Sequence, residues 1–380
     1  MFRLVLLTRW ICLLSSNREE NASRLEQLGG SPLSHWCTTK DMLIRSKPGF
    51  AQRSLFFLAA CTCMTLPLCR ADAAACTAQS QMTPVFRDAL AAASRTFAAQ
   101  LQQGDILSLR ANSTPEVAAD FSGIASSIST LRPKIQAATV TVDELYGLDA
   151  SAGTAANAEF FCGFPVVVLN LNALPPGNYA LAILHATGVA QPQQLALVLS
   201  RAADNRWMLA GIFIRPLTEN GHGGLWYWTM ARQYAQTKRK WNAWLYYRVA
   251  ADLLDPVDFL SSPNLQKLQH EMSDVHPEDL PAGGPVVLNG HGAQYQLTSI
   301  DTTTELGAFD LDVHYSPTSA QAAELRNGVT ARAQVLDVMR SLLVLHPELG
   351  EAFHGFWVHA DQGNASLFAL ELPVSGINGR

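Results

Sequence analysis

No apolar run in this 380-residue sequence reaches the eighteen or so residues that a membrane-spanning helix needs. Charged residues make up only 16% of the chain against 48% hydrophobic ones, so wholesale disorder is excluded and a sizeable core is expected. No Gly-x-Ser-x-Gly elbow, His-Glu-x-x-His, phosphate loop or Gly-x-Gly-x-x-Gly is present. Those absences remove common hydrolase and nucleotide-binding families without excluding enzymes in general. Cysteine is also scarce where it counts. Five of the seven lie at positions 12, 37, 61, 63 and 69, and only Cys76 and Cys162 follow.

What stands before Cys76 reads as an export signal. Arg45, Lys47 and Arg53 form a positive region, Leu55 to Leu68 an apolar stretch, and Ala71-Asp72-Ala73 a small-x-small cleavage site. The expected signal peptide is 42–73, starting at Met42, with 1–41 a non-native or disordered extension. Release after Ala73 is expected, into the periplasm or the extracellular space. A lipid-anchored form at Cys61, after Leu58-Ala59-Ala60, is the alternative. Residues 1–73 hold nine Lys/Arg and five Asp/Glu, which leaves 18 basic and 27 acidic groups and a net charge of about −9. So acidic a chain lacks the basic footprint of a nucleic-acid binder. In an oxidising compartment the two remaining cysteines are expected to form one disulfide, Cys76–Cys162; a buried free Cys162 is the alternative.

The remainder reads as α+β in three parts. In the first, 80–217, a helix begins with Thr83 as cap and Pro84 at its first position and ends at Gly104. Phe86, Leu90, Ala93, Phe97 and Leu101 make its apolar stripe. A second helix starts at Thr114-Pro115 and stops before Pro133. Strands are expected at 165–172, 179–187, 194–201 and 207–215, the last two joined by an Asp204-Asn205 turn. Helices followed by an antiparallel meander resemble the NTF2-like fold, which implies a cavity between helices and sheet. His185, on the strand 179–187, is then a candidate acid/base facing that cavity.

The second part, 222–275, carries four of the eight Trp within 226–244. Tyr227, Met230, Ala231, Tyr234, Ala243, Tyr247, Ala250 and Pro256 resemble a single tetratricopeptide-like (TPR-like) helical hairpin. Trp226 and Trp228 precede its register and are the candidate exposed anchors for a peptide. The third part, 283–376, follows a Pro/Gly linker and reads as a β-β-α-β-β unit with one long helix over 320–345. Its strand 306–315 alternates Asp310, Asp312 and His314 on one face with apolar residues on the other. That face is either ordinary polar surface or a divalent-metal site completed from elsewhere.

As a whole the chain resembles secreted bacterial proteins without an assigned activity, which implies a compartment and no chemistry. The expected function is a non-enzymatic role in the cell envelope, binding a protein or a small ligand. The alternative is an enzyme, hydrolase-like in the NTF2-like cavity or metal-dependent on the 310–314 face. No cofactor is expected beyond that metal.

Overall fold

The computed structural model describes residues 74–151 and 157–377. The proposed leader, the extension before it and the lipidation alternative lie outside the described residues. The chain is α+β. Its elements run β1 (Ala75–Ala78), α1 (Pro84–Gln103), α2 (Ile106–Ala111), α3 (Pro115–Ala119), α4 (Ser122–Ile135), β2 (Thr139–Asp149), β3 (Asn157–Cys162), β4 (Val167–Asn172), β5 (Asn178–Thr187), β6 (Gln193–Arg201) and β7 (Trp207–Pro216). They continue through β8 (Thr218–Glu219), β9 (His222–Gly223), α5 (Gly224–Gln236), α6 (Lys240–Leu254), β10 (Leu260–Ser261) and α7 (Pro263–Asp274). The last group is β11 (Val286–Asn289), β12 (Gln294–Thr303), β13 (Asp310–Ser316), α8 (Ser319–Glu324), α9 (Gly328–Leu345), α10 (Leu349–Ala352), β14 (Gly355–Gln362), β15 (Ala365–Pro373) and α11 (Val374–Ile377). No helix among the described residues is long and apolar enough to cross a membrane.

α1 forms where its caps demand. Thr83 Oγ1 accepts from the Phe86 amide, and Gly104 closes the helix at φ 69°, a conformation a Cβ would strain. The second expected helix is broken in two. α3 ends at Asp120, and α4 starts at Ser122 and runs through Pro133 in its last turn, where the missing N–H costs the one bond that would reach the Ser129 carbonyl. α1 and α4 lie on one face of the sheet β1-β2-β5-β6-β7. Leu90, Leu101, Ile128 and Leu131 fill the space against Leu184, Leu195 and Leu197, where the resemblance implied a cavity. The 165–172 strand does not join the meander. β4 pairs with β3 and β10 in a separate three-stranded sheet that covers the opposite face through Phe160, Leu169 and Phe259. β2 lies outside the strands expected from sequence; Val140 and Val142 of its first half pack against the helices.

α5 and α6 form a helical hairpin with a polar turn at Lys238, where φ is 60°. Gly224 lets α5 start close against α6, since a Cβ there would stand 2.5 Å from Leu254 Cγ. This hairpin shares one apolar core with the C-terminal sheet, ordered β11-β12-β13-β14-β15. Three strands, β11, β12 and β13, precede the helical segment. The single long helix is two, because Asn327 accepts from the Val329 amide at 2.9 Å and caps a new helix at Gly328. α9 carries the chain back so that β14 pairs parallel to β13, and the remaining pairs are antiparallel. Leu311, Val313, Tyr315, Phe356, Val358 and Ala360, none more than 1% exposed, pack with Val335, Val338 and Met339 of α9.

Candidate functional site

Alternation along β13 and β14 turns every second residue away from that core. Parallel register sets Asp312 opposite Trp357 and His314 opposite His359. Four side chains therefore meet on the outer face: Asp312 and His314 from β13, His359 and Asp361 from β14. Nε2 of His314 lies 3.3 Å from Asp312, and Nε2 of His359 lies 3.3 Å from Asp312 Oδ1. Nδ1 of His314 is 2.5 Å from Asp361 Oδ2. One ligand atom from each of Asp312, His314 and His359 falls within 4.8 Å of the other two.

The electrostatics follow from this packing. Hydrogen bonding to Asp312 and then to Asp361 raises His314 to about 9, against the opposing effect of burial. Burial works against ionisation of Asp312, but the imidazoles of His314 and His359 outweigh it and hold the carboxyl well below the usual range. Asp312 Oδ1 and His359 Nε2 are shielded from solvent and face each other without forming an aligned hydrogen bond. Two buried polar atoms left this way are costly unless something else completes them.

The expected trio is thus divided. Asp312 and His314 come together, whereas Asp310 belongs to a neighbouring group. It is 1% exposed and accepts from His354 Nδ1 at 3.1 Å, with Glu371 close by. Asp310, His354 and Glu371 also bring ligand atoms within 4.8 Å of one another. His354, His359, Asp361 and Glu371 were missed because they lie more than forty residues after Asp310. The signal that would have found them is the β-α-β order, which calls for parallel pairing of the flanking strands.

His185 does not face the helices. Leu184 and Ala186 do, and His185 points to the other side, 27% exposed and 3.7 Å from Asp143. Trp228 is not an exposed anchor. It is 8% exposed, donates from Nε1 to Glu271 Oε2 at 2.7 Å and carries Arg232 over its ring at 4.4 Å. Trp226 is 38% exposed and stacks on His222. Cys76 and Cys162 are joined, with Cα atoms 5.0 Å apart, and tie β1 to β3.

The chain matches no protein-family model, no curated protein and no solved structure.

Proposed function

We propose that this chain is an exported protein that binds a divalent transition-metal ion through Asp312, His314 and His359. The observation that carries the reading is the convergence of two imidazole nitrogens and a carboxylate on one sheltered point, within 4.8 Å. Two imidazoles and one carboxylate suit zinc and neighbouring first-row ions, at bond lengths of about 2.0–2.2 Å. Small side-chain rotations bring the three donors to that range. Asp361 on the far nitrogen of His314 plays the orienting part that carboxylates commonly play behind a metal-bound histidine. Three protein ligands leave a position open for water or a ligand. The role is binding, and the open position is where a reaction would take place in the enzymatic alternative.

Export is supported by the charge-apolar-small order of 42–73 and by the Cys76–Cys162 disulfide. The likeness of the first part to NTF2-like folds and of α5–α6 to a TPR-like hairpin belongs to the same proposal, supported by element order.

A second reading has its own observation. With His314 protonated between Asp312 and Asp361, the cluster is a self-contained ion network. One experiment separates the two. Chelator-stripped protein is titrated with Zn²⁺ and Co²⁺ by calorimetry, beside the H314A/H359A double variant. Stoichiometric binding in the wild type, absent from the variant, supports the metal site. No binding, or equal binding in both, leaves the ion network.

A further inference from the structure

A cleft of about 380 Å³ opens between the start of α5 and the loop leading into β13. It shares no lining residue with the Asp312–His314–His359 cluster. One wall is formed by His222 and Trp226, whose rings stack face to face at 3.8 Å and 9° from coplanar; His222 covers one face of the indole, and Trp226, still 38% exposed, forms the ledge. Tyr246 and Phe309, buried and 5.7 Å apart, give it an aromatic floor. Gly307, at φ 90°, and Ala308 keep the facing side free of bulk.

The polar groups sit at the edge. Asn220 offers both an amide donor and a carbonyl acceptor. His354 is held by Asp310 at Nδ1, and that carboxylate is buried and cannot turn away. Nδ1 is thereby occupied, and Nε2 remains to form a hydrogen bond with a hydroxyl. His354 is 55% exposed and stands on the rim of the cleft. Among the described residues no Lys, Arg, Asp or Glu side chain lines the space.

These features select a class of ligand. A phosphate or carboxylate would find no Lys or Arg to pair with, and an ammonium no carboxylate, among the lining residues. A peptide would need the main-chain hydrogen-bonding edge of an exposed strand or an extended apolar groove. A ring with an apolar C–H face and hydroxyls around its edge meets both the ledge and the rim. The volume lies at the small end of the usual range for ligand sites. We propose that this cleft binds a neutral saccharide, one face of a pyranose ring lying on Trp226 and its hydroxyls bonding Asn220 and His354.

The test uses the whole mature chain and saturation-transfer NMR with three neutral probes: cellobiose, lactose and N,N′-diacetylchitobiose. Choline and galacturonic acid serve as charged controls. The expected result is transfer to the ring C–H protons of at least one probe. Trp226→Ala should weaken that binding at least tenfold, Trp226→Phe should retain it within a few-fold, and His354→Ala should weaken it severalfold. A melting curve for each variant checks folding; if Trp226→Ala proves unstable, Trp226→Phe and His354→Ala decide. Prior treatment with a chelator should leave the binding unchanged, so the outcome is independent of the metal reading. Absence of transfer from all three probes at about 10 mM overturns the proposal. So does binding of a charged control in preference to the sugars, or undiminished binding in the folded Trp226→Ala or His354→Ala protein.

Discussion

His314 and His359 stand opposite each other on two parallel strands, with their imidazoles stacked 4.5 Å apart and 11° from coplanar. Both rings present Nε2 to Asp312, one residue pair along the same pleat. Adjacent strands lie a little under 5 Å apart, so in-register histidines on one face have little choice but to stack. Trp357, with its ring 4.4 Å from that of His359, restricts the ring from a second direction. Backbone register, more than any flexible loop, therefore sets the distance between the two nitrogens.

If Asp361 orients His314 for a metal, Asp361→Asn should weaken Zn²⁺ binding without abolishing it. The expected loss is about 10–100-fold, as for other carboxylates behind a ligating histidine. Competition against a chromophoric chelator measures it. An unchanged affinity would remove Asp361 from the site.

Cys76 and Cys162 close a loop with a sequence separation of 86 residues and clip the edge strand β1 to the small sheet. The Cys76→Ser/Cys162→Ser variant should lose about 2–4 kcal/mol of stability in urea denaturation. Denaturing the wild type in a thiol reductant should give a similar loss, and labelling the denatured unreduced protein should find no free thiol at these positions.

Glu271 joins three helices. It accepts from Arg232 on two oxygens, from Trp228 and from Tyr247. The Arg232 guanidinium beside it holds its carboxyl below the ordinary glutamate value, against burial. A depressed folded-state value means the unfolded chain takes up the proton first. The stabilisation is thus full above the unfolded value of about 4.3 and fades as pH falls through the lower folded value. Glu271→Gln should cost about 1–2 kcal/mol at pH 7, allowing for the partial exposure of Arg232. The gap between variant and wild type should narrow as pH falls below about 4.3 in paired urea curves.

Tyr315, fully buried under α9, donates to Gln334 Oε1 at 2.7 Å. Tyr315→Phe keeps the ring but leaves that acceptor buried and unsatisfied. A loss of about 1–3 kcal/mol in chemical denaturation is expected, with metal binding on the other face of β13 unchanged.

Much of the fold was legible because it is written in local signals. Thr83, Pro84 and Gly104 mark α1 without reference to anything distant. Asp204-Asn205 marks the β6–β7 turn, where Asn205 takes the positive φ that such turns require. The breaks in the two long helices were hidden beneath a continuous apolar stripe: Asn327 caps a new helix, and at Asp120 the backbone leaves the helical region. Trp228 shows a different limit. An aromatic outside a repeat register looked exposed, but a carboxylate supplied from α7 gave its indole a buried partner.

For the candidate site, the residues of β13 already carried the alternation that puts Asp312 and His314 on one face, because strand period is a local property. Their partners were decided elsewhere. The sequence determined the α+β class, the polar face of one strand and two cysteines within reach of a bond. Only the tertiary structure decided that β14 would return parallel, that His359 and Asp361 would complete the cluster, and that Asp310 would turn to His354. Register between strands so far apart in sequence is set by how α9 packs on the sheet, and that is a property of the whole core.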